Sequence, residues 1–239
     1  MRLALFDIDG TLLREGIAPK LAFARALQET FDTTGPISGF RFAGMTDPQC
    51  VVEIMRQAGI GDEVIAERRS QCLDRYVTHL RVEMSRHDGA RLFPGVKDLL
   101  SRLSGREDVL VGLLTGNVQP GAMLKLDRFK LGGYFRFGAF GDEHEDRGEL
   151  ARIALEKAER IVGRPVRGNE ATVIGDTPRD VACARAIGAR AVIVATGLVS
   201  REELRAAEPD VLLDSFEDLE GTLRAICPEP PRTGPQIYV

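Results

Sequence analysis

The chain has 239 residues, 44% of them hydrophobic and 28% charged, with a formal net charge of −4. That apolar share excludes a disordered or collagen-like chain, and the length suits one α/β domain with room for a modest insertion and no need of disulfides or structural metal. The slight acidity argues against a nucleic-acid partner, and no apolar stretch has the length a bilayer crossing requires. Cys50, Cys72, Cys183 and Cys227 stand too far apart for a metal knuckle, and no signal peptide is visible, so a reduced, cytoplasmic protein with no membrane partner is expected.

Leu3-Ala4-Leu5-Phe6 is a continuous apolar run, the pattern of a strand buried on both faces in a parallel sheet. It stops abruptly at Asp7-Ile8-Asp9-Gly10-Thr11. Residues 15–91 then read as three helices without a strand. The first covers residues 19–31, with Leu21, Ala24, Leu27 and Phe31 on one side. The second covers 48–58, with Asp47 as its N-cap and Gly59 just past its end, and the third runs from Glu63 to Arg86. These residues predict a small helical unit inserted after the first strand. From residue 94 onward helix and strand alternate: strands are expected at 109–114, 134–140, 171–174 and 191–194, with an edge strand at 211–213. Alternation of this kind predicts a parallel α/β sheet. The Pro- and Gly-rich tail 227–239 is expected to be an extended surface segment.

Three polar clusters end predicted strands: Asp7 to Thr11, Leu114-Thr115-Gly116-Asn117, and Gly175-Asp176-Thr177-Pro178-Arg179-Asp180. Alone, a D-x-D suits any strand-to-turn junction, and Thr115 or Asp176 could cap the helix that follows. Together, in open α/β sheets, such clusters meet at the carboxyl edge where ligands bind. Asp7 is ionised at neutral pH and can act as a nucleophile without a partnering base. Asp176 can join it in holding Mg²⁺, a hard ion that takes oxygen ligands. Asp9 is placed to protonate a leaving oxygen and later to deprotonate water. Thr115 offers a hydroxyl, and Gly116 and Asn117 offer N–H groups at a helix start, to a phosphoryl group. Asp180 reads equally well as a support behind the metal ligands or as a first-turn acid favoured by the helix dipole.

These motifs resemble those of the haloacid dehalogenase superfamily, the aspartate-nucleophile phosphohydrolases, and most of all its phosphoglycolate phosphatase-like branch. Asp7-Ile8-Asp9-Gly10-Thr11 matches the first motif, Leu114 to Asn117 the second, and Gly175-Asp176-Thr177-x-x-Asp180 the fourth. The resemblance implies a Rossmann-like parallel sheet core (1–14 plus 92–239) with an inserted α-helical cap (15–91), and the first and fourth motifs on adjacent strands. It implies a Mg²⁺-dependent phosphatase for a small phosphorylated metabolite, with an aspartyl-phosphate on Asp7. Mg²⁺ would be held by Asp7, the Asp9 carbonyl and Asp176, and the protein would be a monomer or homodimer.

The third motif departs from the family's usual Lys. Lys157 lies on the order of 12 Å down its helix, too deep to reach the strand edge. Arg147, in the loop 141–148 before that helix, is the better phosphate-stabilising cation, with Asp146 beside it to orient it. The other acids of this loop, Asp142, Glu143 and Glu145, read as solvated. Arg41 and Thr46, before the second cap helix, are candidates for substrate specificity. A phosphomutase would keep every residue named. A 2-haloacid dehalogenase would not need Asp9 and Asp176, and a non-catalytic scaffold would be expected to have lost one of Asp7, Asp9 or Asp176.

Overall fold

β1 (Arg2–Phe6) alternates as a strand buried on both faces must: Leu3 and Leu5 point into one apolar cluster, Ala4 and Phe6 into another. The computed structural model that establishes this describes residues 1–228, so the expected tail segment lies outside the described residues from 229 onward. In chain order β1 is followed by β2 (Leu13–Arg14), α1 (Ala18–Phe31), α2 (Asp47–Gln57), α3 (Asp62–Arg86) and β3 (Arg91–Leu92). Next come α4 (Val96–Ser104), β4 (Val109–Leu114), α5 (Gln119–Arg128), β5 (Gly138–Ala139) and α6 (Arg147–Val162). The described chain closes with β6 (Ala171–Gly175), α7 (Pro178–Ala186), β7 (Arg190–Val194), α8 (Arg201–Ala206), β8 (Val211–Leu213) and α9 (Leu219–Ile226). None of the described helices is long and apolar enough to cross a membrane.

The main sheet runs β5-β4-β1-β6-β7-β8, and every neighbouring pair is parallel. α4 and α9 cover one face through Leu99, Leu100, Leu103 and Ile226; α6 and α7 cover the other through Leu150, Ala151, Ala154 and Ala184. Chain order reverses between β1 and β6, which puts a crevice at their carboxyl ends. Asp7 follows β1 directly and Asp176 follows β6 directly, so this topology brings the first and fourth motifs together.

The expected strand at 134–140 is mostly something else. Gly132–Tyr134 form a single 3-10 turn, and only Gly138–Ala139 are regular strand. β5 is an edge strand, and isolated bonds from Arg136 N to Val111 O (3.0 Å) and from Leu113 N to Phe137 O (3.0 Å) continue its pairing with β4. The aromatic, apolar composition that suggested a long strand here reflects packing onto that edge.

α1 and α3 pack along one another with α2 against α3, around Phe23, Leu27, Val51, Ile54, Met55, Tyr76 and Leu80. The Phe23 and Tyr76 rings lie 4.2 Å apart at their centroids. β2 and β3 pair antiparallel, Leu13 with Leu92 and Arg14 with Arg91, and tie together the two chain crossings that lead into and out of this helical unit. The N-cap of α2 is Thr46, not Asp47: Thr46 Oγ1 accepts from Gln49 N, and Gln49 Oε1 accepts from Thr46 N, a reciprocal capping box. Asp47 is the first helical residue, and its carboxylate is engaged elsewhere.

Candidate active site

Asp7 N–H donates to Ile174 O (2.9 Å), which anchors the first motif to the end of β6. Asp7 Oδ1 accepts from Ile8 N (2.8 Å). The chain then turns at Gly10, whose φ of +81° favours glycine, and an added Cβ would fall 2.1 Å from Asp176 Oδ2. Only a glycine lets the first-motif backbone approach the fourth-motif carboxylate this closely. Thr11 Oγ1 donates to Asp176 Oδ1 (3.0 Å), linking the two motifs through a side chain.

Arg147 completes this group. It is the first residue of α6, 7% exposed, and its NH1 and NH2 donate to Asp7 Oδ2 (3.3 and 3.2 Å) while NH2 also donates to Asp180 Oδ1 (2.5 Å). Asp180 Oδ2 accepts from Thr177 N (3.0 Å) and Thr177 Oγ1 (2.7 Å), so Asp180 both caps α7 and anchors Arg147. Asp146 does not orient Arg147; its Oδ1 accepts from Glu149 N (3.0 Å) and caps α6. Lys157 Nζ turns instead to Gly138 O (2.7 Å) and the Glu143 carboxylate. The remaining acids of loop 141–148, read as solvated, are also engaged: Asp142 accepts from Gln119 N (2.9 Å), and Glu145 pairs with Arg69.

The second motif serves Asp9. Asn117 N and Nδ2 both donate to Thr115 Oγ1 (3.3 and 2.8 Å), and Nδ2 also donates to Asp9 Oδ2 (2.9 Å). Asn117 is therefore turned toward Asp9 by its side chain, and it does not begin a helix: α5 starts two residues later, at Gln119, with Val118 as its cap. Gly116 O accepts from Asp47 N (2.8 Å). Lys125 is a residue the sequence reading missed. Its Nζ donates to Asp9 Oδ2 and to Asn117 Oδ1 (2.6 Å), and it is buried with Ala122 and Leu126 on the inner side of α5. A lysine at i+3 from one apolar position and beside another was the available signal.

The helical unit rests on this site. Val118 N donates to Asp47 Oδ2 (2.8 Å), so the first turn of α2 is fastened to the loop after β4. Thr46, a specificity candidate, is fully buried and its hydroxyl serves the helix cap; Arg41 is exposed. A cleft of about 340 Å³ between the start of α6 and α7, with Gln49 of α2 at its edge, reaches Arg147 and is lined also by Arg179 and Cys183.

The electrostatics match a site short of positive charge. Burial pushes Asp7 up to about 6, with Arg147 opposing and Asp180 adding to the rise. Burial, then Asp180 and Asp7, push Asp176 well above the carboxylate range. Burial works against the charge of Arg147, but Asp180 and Asp7 outweigh it and raise its pKa. Carboxylate oxygens of Asp7, Asp176 and Asp180 lie within 4.8 Å of one another. The backbone of Gly197 crowds the same Asp176 oxygen as Gly10, an added Cβ falling 1.8 Å from Oδ2. Buried, all-oxygen and over-negative, this group fits a hard divalent cation such as Mg²⁺.

Asp47 carries a separate consequence. Burial pushes its carboxyl up to about 7 from an ordinary 3.8, against the pull of Lys125 and the Val118 N–H. With the folded value above the unfolded one, the contribution of Asp47 to stability is fully present below pH 3.8 and is lost as pH rises toward 7. Asp47→Asn keeps an acceptor for Val118 N–H and removes the buried charge. Its stability is expected to gain on that of the wild type between pH 4 and pH 7, by on the order of a few kcal/mol at the upper pH, read as a melting-temperature difference that widens with pH. Parallel melting curves across that range would show that the charge of Asp47 costs nothing.

Known proteins resemble this chain over most of its length. A model of the haloacid dehalogenase-like hydrolases matches residues 1–188. Phosphoglycolate phosphatase of Pectobacterium atrosepticum is 25% identical over 221 residues, covering 90% of this chain and 88% of its own. The probable phosphatase IndB of Dickeya dadantii is 27% identical, covering 94% of each chain. Among solved structures, a predicted phosphatase from Clostridium acetobutylicum superposes with a TM-score of 0.71 at 22% identity, covering 93% of this chain and 97% of that one. CbbY from Rhodobacter sphaeroides, solved with phosphate, superposes at 0.70 with 23% identity over 92% of this chain and 96% of its own. The chain belongs to the haloacid dehalogenase-like hydrolases and is similar, along nearly its whole length, to phosphatases.

Proposed function

We propose that the protein is a Mg²⁺-dependent phosphatase that hydrolyses a small phosphomonoester through an aspartyl-phosphate on Asp7. The reaction would take place in a core made of residues 1–14 and 92 onward, beneath a helical cap of residues 15–91. The observation that carries this reading is the buried junction of Asp7, Asp176 and Arg147 at the point where strand order reverses. Asp7, Asp176 and the backbone carbonyl of Asp9 would hold Mg²⁺, which when bound offsets negative charge on the transferring phosphoryl group.

The protein's own groups account for the rest. Asp7 attacks phosphorus while Arg147 holds its carboxylate in place. Arg147 NH1 has a second hydrogen beyond the one it gives Asp7, and that hydrogen is available to a phosphoryl oxygen. Thr115 Oγ1 accepts from Asn117, which leaves its own hydrogen free to donate to another. Asp9 protonates the departing alcohol and then takes a proton from the water that attacks the aspartyl-phosphate. The buried state of all four cysteines suits a reducing, cytoplasmic setting.

The test is a screen of phosphorylated metabolites, phosphoglycolate among them, for release of inorganic phosphate with Mg²⁺ and with EDTA. Release that needs Mg²⁺ is expected. Release untouched by EDTA would contradict the metal dependence. An isomerised product without phosphate release would make the protein a phosphomutase.

A further inference from the structure

Burying an ammonium group is unfavourable unless it is paired, and Lys125 has a side chain only 4% exposed. Its fully buried neighbours on α5, Ala122 and Leu126, are apolar, so packing alone gives no reason for a cation there. Burial opposes its charge, but Asp9, Glu15 and Asp47 outweigh that effect and hold it protonated. Its Nζ donates to Asp9 Oδ2 and to Asn117 Oδ1 (2.6 Å), and Asn117 Nδ2 donates to the same Asp9 Oδ2 (2.9 Å). Two donors thus converge on one oxygen of Asp9. The other, Oδ1, is buried and has no partner among the described residues. Rotation of the carboxyl group about Cβ–Cγ would break both bonds at once.

We infer that Lys125 is a positioning residue: with Asn117 it locks the rotation of the Asp9 carboxyl group, so that Oδ1 is the oxygen presented first to the leaving group and then to water. This rests on the reading of Asp9 as the acid and base of a phosphatase. In the first step the proton on Oδ1 passes to the ester oxygen as the P–O bond to the alcohol breaks and the bond from Asp7 forms. In the second, Oδ1 takes a proton from water as the water oxygen bonds to phosphorus and the Asp7–phosphorus link breaks. Lys125 gains and loses no proton in either step. It acts only by fixing where Oδ1 points.

The test measures kcat/KM for the wild type, Lys125→Met, Asp9→Asn and the double variant with Mg²⁺. The substrates are p-nitrophenyl phosphate and the alkyl phosphate that the wild type hydrolyses fastest. This parameter reports the steps through departure of the alcohol. An aryl oxide leaves with little help from an acid, whereas an alkoxide needs its proton. Lys125→Met is expected to lose at least about ten-fold more activity on the alkyl than on the aryl ester. In the Asp9→Asn background it is expected to add less than about two-fold on either, because a residue acting through Asp9 has nothing left to act on. Equal losses on both esters, or losses that multiply with Asp9→Asn, would overturn the inference and leave Lys125 a support of the fold. Lys125→Gln, which keeps a donor and much of the length, is measured in parallel with thermal unfolding of every variant; if the Met variant does not fold, the same ratio in the Gln variant decides. A wild type that hydrolyses neither ester would overturn the phosphatase reading itself, and this inference with it.

Discussion

Asp7→Asn is expected to lower turnover of any phosphomonoester by roughly four orders of magnitude or more, the scale seen when the nucleophile of a cooperating set is removed. The amide that replaces the carboxylate still offers an oxygen to the Ile8 N–H, so the turn after β1 has no reason to change. Arg147 keeps Asp180. In EDTA the variant should be the more stable protein at neutral pH. Burial raises the Asp7 carboxyl to about 6 in the folded state. Its contribution to stability is therefore fully present below the unfolded value of 3.8 and is lost as pH rises through about 6. Asn does not titrate, so its advantage in melting temperature grows from pH 4 to pH 7. Higher stability with lost activity is the signature of a residue retained for chemistry. Retained turnover in the pure variant would remove Asp7 from the nucleophile's role.

Arg147→Ala should show the opposite pattern in stability. The guanidinium is buried between two buried carboxylates, and no other cation touches either of them among the described residues. Removing one partner of a buried ion pair leaves uncompensated charge and typically costs about 3–5 kcal/mol. Activity should fall on the order of 10²- to 10³-fold, as when one donor to a developing charge is lost. Arg147→Lys separates the two duties. A lysine can neutralise charge but lacks the planar fork that reaches Asp7 and Asp180 together. It is expected to recover more stability than activity. Thermal unfolding and kcat/KM on one aryl phosphate check both variants; an Arg147→Ala protein as stable and as active as the wild type would contradict the role assigned here.

Legibility in the sequence followed how local each signal was. Asp7, Asp9, Thr115 and Asp176 could be picked out because each interrupts an apolar run that the sheet requires, and the order of those runs fixes their meeting point. The parallel sheet and the three helices of residues 15–91 followed from periodicity for the same reason. Arg147 stands out in the sequence as the cation of its interval that lies just before a helix; its partnership with Asp180 does not, because that contact spans two helices. Lys125 was hidden by its setting, an ordinary-looking helix in which only the rotation of α5 against β1 makes its position unusual. Thr46 and Asp47 both favour helix starts, and sequence alone could not say that one caps α2 while the other reaches across to Val118. The strand expected at 134–140 shrank because an edge strand with one neighbour needs few regular pairs, while its aromatic residues are kept for packing.

Acid-quenched wild-type protein, stopped during turnover with Mg²⁺ and analysed as peptides by mass spectrometry, tests the central claim most directly. One phosphoryl group on Asp7, absent from Asp7→Asn treated in the same way, is the predicted result. A phosphoryl group on any other residue, or none on a protein shown to be turning over in that sample, would contradict it.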